Sequence, residues 1–168
     1  LLPLFLLKYI RFFGFETPFG MLAPLGISFY TMTLLGYVID VSWGTARAQK
    51  NPFKHALFAC YFPQMVSGPI TRYGQMEPQL FVKHSFSYEQ AAFGAQRILW
   101  GLFKKLVISE RLAMVVDAVY GWYSAYPGWY LVVATICFAF QLYTDFSGCM
   151  DIVLGVSQIL GITLPENF

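Results

Sequence analysis

Two carboxylates, Asp145 and Asp151, flank the run Phe146-Ser147-Gly148-Cys149-Met150, with apolar stretches on either side. At the centre of a bilayer each would cost about 2.5–3.5 kcal/mol, while Leu131, Val132, Val133, Ile136, Phe138, Phe140 and Leu142 return about 0.3–0.6 kcal/mol apiece, roughly 3 in all. That balance covers one acid and leaves the second in need of shelter. The economical arrangement is a helix break at Ser147 and Gly148 that opens on a polar interior, with Gln141 one turn before Asp145 on the same face. On an unbroken helix the spacing of the two acids amounts to about 600 degrees, so they would point about 120 degrees apart and would not form an acid/base dyad.

Gln141, Asp145, Ser147 and Asp151 are therefore the candidates for a polar interior or the wall of a substrate tunnel. The residues leave a second reading open, in which the acids neutralise Arg97, Lys104, Lys105 or Arg111 inside a bundle and do no chemistry. Lys104 and Lys105 themselves read as helix-end residues that snorkel or pair with Glu110 and Asp117. His55 and His84, beside Lys54 and Lys83, have no neighbouring carboxylate or serine to orient or use them, and read as solvated surface groups. No GxSxG, HExxH, Walker or dinucleotide pattern is present, and no catalytic residue is assigned. Cys60, Cys137 and Cys149 form no CxxC pair and are odd in number, which points to small buried hydrophobes and away from a metal site or a disulfide framework.

The elements that must position these groups belong to a membrane protein. Of the 168 residues 57% are hydrophobic and 12% charged, against about 45–50% and about 25% in ordinary soluble domains. Aromatic residues make up 19%, more than one aqueous core of this size could hide. A net charge of +2 with no basic stripe excludes a nucleic-acid module.

Four stretches lack charge: residues 17–39, with Pro24 suited to a first helical turn; residues 56–71, short and interrupted by Pro63, Gly68 and Pro69; residues 118–144, split by Pro127 and Gly128; and residues 152–165. Ser87 and Gln90 have capping-box spacing, and Ile98, Leu99, Leu102, Phe103 and Leu106 follow at helical intervals. Asn51 and Pro52 read as N-cap and first helical position. Gly68 and Gly148 read as close-packing or helix-break positions.

Lys and Arg distribution sets the orientation. Residues 41–54 carry Arg47, Lys50 and Lys54 and no acid, which places that loop inside. Tyr120, Trp122, Tyr123, Tyr126, Trp129 and Tyr130 form an uncharged aromatic belt outside. With residues 87–119 crossing once, the 56–71 stretch must enter and leave on one side as a re-entrant segment. Lys8 and Arg11 stand against this orientation. The expected architecture is all-α: a multi-helix integral membrane protein with broken and re-entrant helices, residues 1–168 forming one partial transmembrane domain cut from a longer chain.

Four blocks carry a family likeness: Pro24-Leu-Gly-Ile-Ser-Phe-Tyr30 with Tyr37-Val-Ile-Asp-Val41; Phe62-Pro-Gln-Met-Val-Ser-Gly-Pro-Ile70; Gly101-Leu-Phe-Lys-Lys-Leu-Val-Ile108; and Gln141-Leu-Tyr-Thr-Asp-Phe-Ser-Gly-Cys-Met-Asp151, extended by Leu164-Pro-Glu-Asn-Phe168. In this order they resemble the membrane-bound O-acyltransferases, within them the bacterial branch of alginate O-acetylation and teichoic acid D-alanylation. The last block departs from the family at Cys149 and Met150.

The resemblance implies a helical ring around a thin centre, in the bacterial inner (plasma) membrane, that moves an acyl group from a carrier to a hydroxyl of a cell-envelope polymer. It implies an acyl thioester donor, acyl-carrier protein or acyl-CoA, and acyl-carrier or envelope acyltransferase partners beside the lipid bilayer. It also implies a catalytic histidine beyond Phe168, so that this stretch alone would be inactive. Two alternatives remain at this level: a transporter segment with a broken-helix site, and a non-catalytic membrane anchor.

Overall fold

A computed structural model of the chain describes residues 26–65 and 67–167. The start of the 17–39 stretch with Pro24, and the cations Lys8 and Arg11, lie outside the described residues. Those residues are helical and contain no strand, in keeping with the all-α expectation. The chain divides into two compact units, residues 1–83 and 84–168.

In the first unit, α1 spans Ile27–Ser42, α2 Pro52–Ala59 and α3 Tyr73–Leu80, with a single 3-10 turn at Phe62–Gln64. The Asn51 side chain caps α2 by accepting from the backbone N–H of Phe53 at 2.9 Å and of Lys54 at 3.4 Å, and Pro52 takes the position where no N–H is needed, as expected.

An aromatic cluster fixes the three helices. The Tyr73 ring, fully buried, meets the Phe58 ring edge-on at 5.0 Å and the Tyr37 ring at 5.0 Å. Its hydroxyl accepts from Gln49 Nε2 at 2.8 Å and donates to Glu77 at 3.1 Å. Burial pushes that hydroxyl above its usual range, and the Gln49 bond opposes the shift.

His55 belongs to the same cluster, which corrects the expectation of a solvated imidazole. Its ring lies 4.5 Å from that of Tyr37, and Nδ1 is buried with no hydrogen-bond partner. One helical turn of α2 brings it onto the face that also carries Phe58, so packing and not charge decides its place. His84 is exposed, as expected.

The segment after α2 is irregular, as its two prolines require. One side chain bridges it: Gln64 Nε2 donates to the Pro69 carbonyl at 2.7 Å, and Gln64 Oε1 accepts from the Thr71 hydroxyl at 3.1 Å.

In the second unit, α4 spans Tyr88–Leu102 and runs without interruption through a π-helical segment, Phe103–Ser109, into α5, Glu110–Gly121. After a 3-10 turn at Tyr123–Ala125, α6 spans Gly128–Ile159. Ser87 caps α4, accepting from Gln90 N–H at 3.5 Å.

Pro127 precedes α6 and splits the charge-free run 118–144 where expected. The predicted break at Ser147 and Gly148 does not occur: the two apolar stretches on either side are one helix of 32 residues. Nothing in that run forces a break, since a glycine lowers helix propensity by only about 1 kcal/mol against alanine and both neighbouring stretches are good helix formers. Among the described residues α6 is the one helix long and apolar enough to cross a membrane. At about 1.5 Å per residue it exceeds the roughly 30 Å hydrocarbon core.

α4 and α6 run antiparallel in close contact. Gly101 meets Gly148 and Gly94 meets Gly155, with a Cβ at any of the four placed within 2.7 Å of the opposite carbonyl oxygen. Gly148 therefore serves close packing.

The usual amphipathic order of α4 is reversed. Its inward face carries Gly94, Arg97 and Gly101, whereas Leu99, Trp100 and Leu102 are exposed. That is the order expected of a helix whose outer solvent is apolar.

Candidate functional site

Backbone contact between α4 and α6 sets the reach of every charged side chain between them. With the axes this close, a lysine or arginine one turn from a glycine spans the gap without extending into lipid. Arg97 Nε donates to Asp151 Oδ1 at 3.1 Å, and Lys104 Nζ pairs with the other oxygen of the same carboxylate. Lys104 also donates to the Ser147 hydroxyl at 2.6 Å. Lys105 pairs with Asp145 at 2.5 Å.

The site is thus two separate ion-pair groups on successive levels of one helix crossing. Asp145 and Asp151 share no partner, as their angular separation on a helix required. Asp151 and Lys104 are each 14% exposed, while Asp145 is 47% exposed. Lys104 and Lys105, adjacent in sequence, both reach α6 from the π-helical segment.

Two expectations are corrected here. Lys104 and Lys105 are not helix-end residues paired with Glu110 and Asp117; they lie within a continuous helical run and neutralise Asp151 and Asp145. The acids are sheltered by cations on a second helix, not by a bend in their own. Arg111, another cation considered, is exposed with its guanidinium at the Met114 sulfur.

Gln141 is not joined to Asp145. Its backbone carbonyl accepts from the Ser109 hydroxyl at 3.2 Å, and its side-chain Oε1 is buried without a hydrogen-bond partner. The π-helical segment is the part of the site that sequence reading missed. The sequence carried no signal for it, since Lys104 and Lys105, three and four residues after Gly101, share that residue's face on an ordinary α-helix as well.

A cavity of about 290 Å³ opens beside the Asp151 group, lined by Arg97, Trp100, Lys104, Ser147 and Asn167 among others. Ser147 Oγ accepts a hydrogen bond from Lys104 Nζ, which leaves the proton of its own O–H available to donate. Such a wall offers fixed positive donors and hydroxyl groups to a polar guest in an otherwise apolar setting. The strap after α6 closes one side. Gly161, in the left-handed region at φ 78°, ends the helix with Gly161 N–H bonded to the Gln158 carbonyl and Ile162 N–H to the Ser157 carbonyl. The chain then folds back, and Glu166 accepts from Arg97 Nη1 at 2.9 Å.

The described residues define a helical protein with one helix of membrane length and ion pairs held between two helices at a glycine crossing. Comparison with known proteins makes the assignment specific. No protein-family model matches the chain. It is 33% identical over 150 residues to the "Probable alginate O-acetylase AlgI" of Pseudomonas syringae, a match that covers 88% of the chain and 28% of the relative. It is 30% identical over 180 residues to the "Peptidoglycan O-acetyltransferase" of Helicobacter pylori, covering 92% of the chain and 34% of the relative. With the "Teichoic acid D-alanyltransferase" of Bacillus subtilis it shares 27% identity, covering 100% of the chain and 44% of the relative. The chain belongs to the membrane-bound O-acyltransferase family, as its four blocks indicated, and it spans about a third of the length of the curated relatives that it matches. The transporter alternative drew on a broken helix, and α6 is unbroken.

Proposed function

We propose that the protein containing this chain is a bacterial inner-membrane O-acyltransferase that moves an acyl group from a thioester donor, acyl-carrier protein or acyl-CoA, to a hydroxyl of a cell-envelope polymer. The observation that carries this reading is the match across nearly the whole chain to proteins named for acyl transfer onto alginate, peptidoglycan and teichoic acid. In this reading the described helices are part of a larger multi-span ring, and envelope acyltransferase or carrier proteins dock on the parts of the protein outside the chain.

The division of labour follows from the chemistry. A base is needed to take the proton of the acceptor hydroxyl, and both carboxylates of the site are already engaged by cations of the facing helix. That role falls to a histidine in the part of the family's length that this chain does not span. The chain's contribution is the wall. Ser147 O–H, Lys104 and Arg97 present donors to a carbonyl whose oxygen gains charge during transfer. Asp151 holds those two cations in place, and Asp145 with Lys105 holds the next turn.

Radiolabelled acyl donor supplied to membranes that carry the full-length protein, with isolated envelope material as acceptor, tests the reading. Label incorporated into an alkali-labile ester of the polymer is the expected result. Equal incorporation with and without the protein refutes it.

A further inference from the structure

In the first unit α2 has two faces, and both are apolar. One turns inward, where Phe58 is fully covered and His55 packs on Tyr37. The other turns outward: Phe53, Ala56, Leu57 and the C-cap Cys60 follow at i, i+3, i+4 and i+7, and all four are exposed, Phe53 by 84%. A surface helix in water keeps such a stripe inside. Here it stands on the outer side, and Trp43, in the loop between α1 and α2, is exposed as well.

Cations border the stripe. From residue 41 to residue 76 the chain has no Asp or Glu, and it carries Arg47, Lys50, Lys54 and Arg72, all exposed. Three of these stand together, because each adjoins a member of the aromatic cluster: Lys50 follows Gln49, which donates to the Tyr37 and Tyr73 hydroxyls; Lys54 precedes His55; Arg72 precedes Tyr73. Lys54 Nζ lies 4.8 Å from the centre of the Phe81 ring, which holds its stem against α3. The acids among the described residues of this unit leave that charge uncompensated. Asp40 is buried and faces Arg72 at 3.6 Å, and Glu77 is half-buried and accepts from the Tyr73 hydroxyl.

We propose that α2 lies flat in the headgroup layer of the bilayer and selects anionic phospholipid. Phe53 and Leu57 enter the upper acyl carbons, and Arg47, Lys50 and Lys54 meet the phosphates. Charge complementarity singles out this occupant. A neutral cover satisfies the stripe and leaves the cations unmatched, and an acidic protein surface matches the cations and leaves the stripe without apolar contact. An anionic leaflet offers both within one layer, in the order in which α2 presents them. Lipid selection by α2 is independent of acyl transfer, and its test reads no turnover.

The experiment uses the full-length protein with its native cysteines replaced by Ser and a bimane fluorophore on Phe53→Cys, reconstituted in vesicles of phosphatidylcholine and phosphatidylglycerol. The quencher is a headgroup-level nitroxide, carried in one sample by phosphatidylglycerol and in the other, at equal proportion, by phosphatidylcholine. The phosphatidylglycerol carrier should quench more strongly, reporting an enrichment of up to about five-fold for each cation at the headgroups. High salt should reduce that advantage. The combined variant Arg47→Gln, Lys50→Gln and Lys54→Gln should lose it while the phosphatidylcholine carrier still quenches. Equal quenching by the two carriers, or an advantage that survives in the Gln variant, overturns the proposal. So does strong quenching by aqueous iodide, which places the stripe in water, and so does protection from iodide and nitroxide alike, which places protein over it. A Leu57→Cys reporter repeats the comparison should Phe53→Cys disturb folding, and the same advantage is required of it.

Discussion

Gly101 and Gly148 face each other across the α4–α6 crossing so closely that a Cβ on either would stand 2.6–2.7 Å from the other's carbonyl oxygen. Adding that carbon forces the helices apart, and the displacement is felt at Lys104, Lys105 and Arg97, which flank the contact. Gly101→Ala and Gly148→Ala should each destabilise the protein by about 1–3 kcal/mol, less the gain of up to about 1 kcal/mol in helix propensity. Gly36→Ala is the control, since open space surrounds its Cβ, and it should be neutral or stabilising. Unfolding of the purified protein in graded denaturing detergent measures all three.

The two acids should respond unequally to neutralisation. Asp151→Asn leaves two cations facing a weak acceptor in a buried place, and should cost about 3–5 kcal/mol. Asp145→Asn breaks one half-exposed pair and should cost no more than about 1 kcal/mol. Acyl transfer by the full-length protein, normalised to membrane abundance, should fall more in the Asp151 variant. Wild-type transfer at normal abundance in both variants would remove any functional role from the acids.

Lys105 and Asp145 can be exchanged together. Lys105→Met alone strands a carboxylate beside Phe146, whereas Lys105→Met with Asp145→Leu replaces the pair by apolar contact of similar bulk. The double variant should recover most of the small loss, no more than about 1 kcal/mol, caused by the single one, because a half-exposed ion pair contributes little and the apolar pair leaves no charge without a partner. The same detergent titration, arranged as a double-mutant cycle, checks this.

Gln64 is the cross-link of the irregular segment in the first unit, and Gln64→Leu leaves the Pro69 carbonyl short of a partner and the Thr71 hydroxyl with the Met76 sulfur alone. A loss of about 1–3 kcal/mol is expected. Limited proteolysis should cut the Gln64→Leu protein faster within residues 60–72.

The Tyr73 hydroxyl is raised in the folded protein by burial, so it favours the neutral form there. The folded state then binds its proton more tightly than the unfolded state, and the stabilisation is present below the ordinary tyrosine value near 10. It is lost as pH rises through the folded value. The unfolding midpoint should therefore drop above about pH 10, and Tyr73→Phe should flatten that drop.

Composition and motif order were enough to read an all-α membrane chain and its family, because the apolar excess and the cap signals at Asn51 and Ser87 act locally. The irregular path after α2 was legible for the same reason, since Pro63 and Pro69 restrict the backbone wherever they stand. That Asp145 and Asp151 could not form a dyad followed from helical geometry alone. Their partners were narrowed to Arg97, Lys104, Lys105 or Arg111 and no further, for these cations lie forty or more residues away from the acids they meet, and local pattern favoured Glu110 and Asp117 as partners of the two lysines. Gly148 was ambiguous for a related reason: alone it suits a break as well as a contact, and only Gly101 on the facing helix selects the contact. Tertiary structure decided the rest. Two glycine pairs bring α4 and α6 within backbone contact, and at that seam the buried Asp151 and the half-exposed Asp145 take the cations the register delivers, so an unbroken helix suffices where the sequence suggested a bent one.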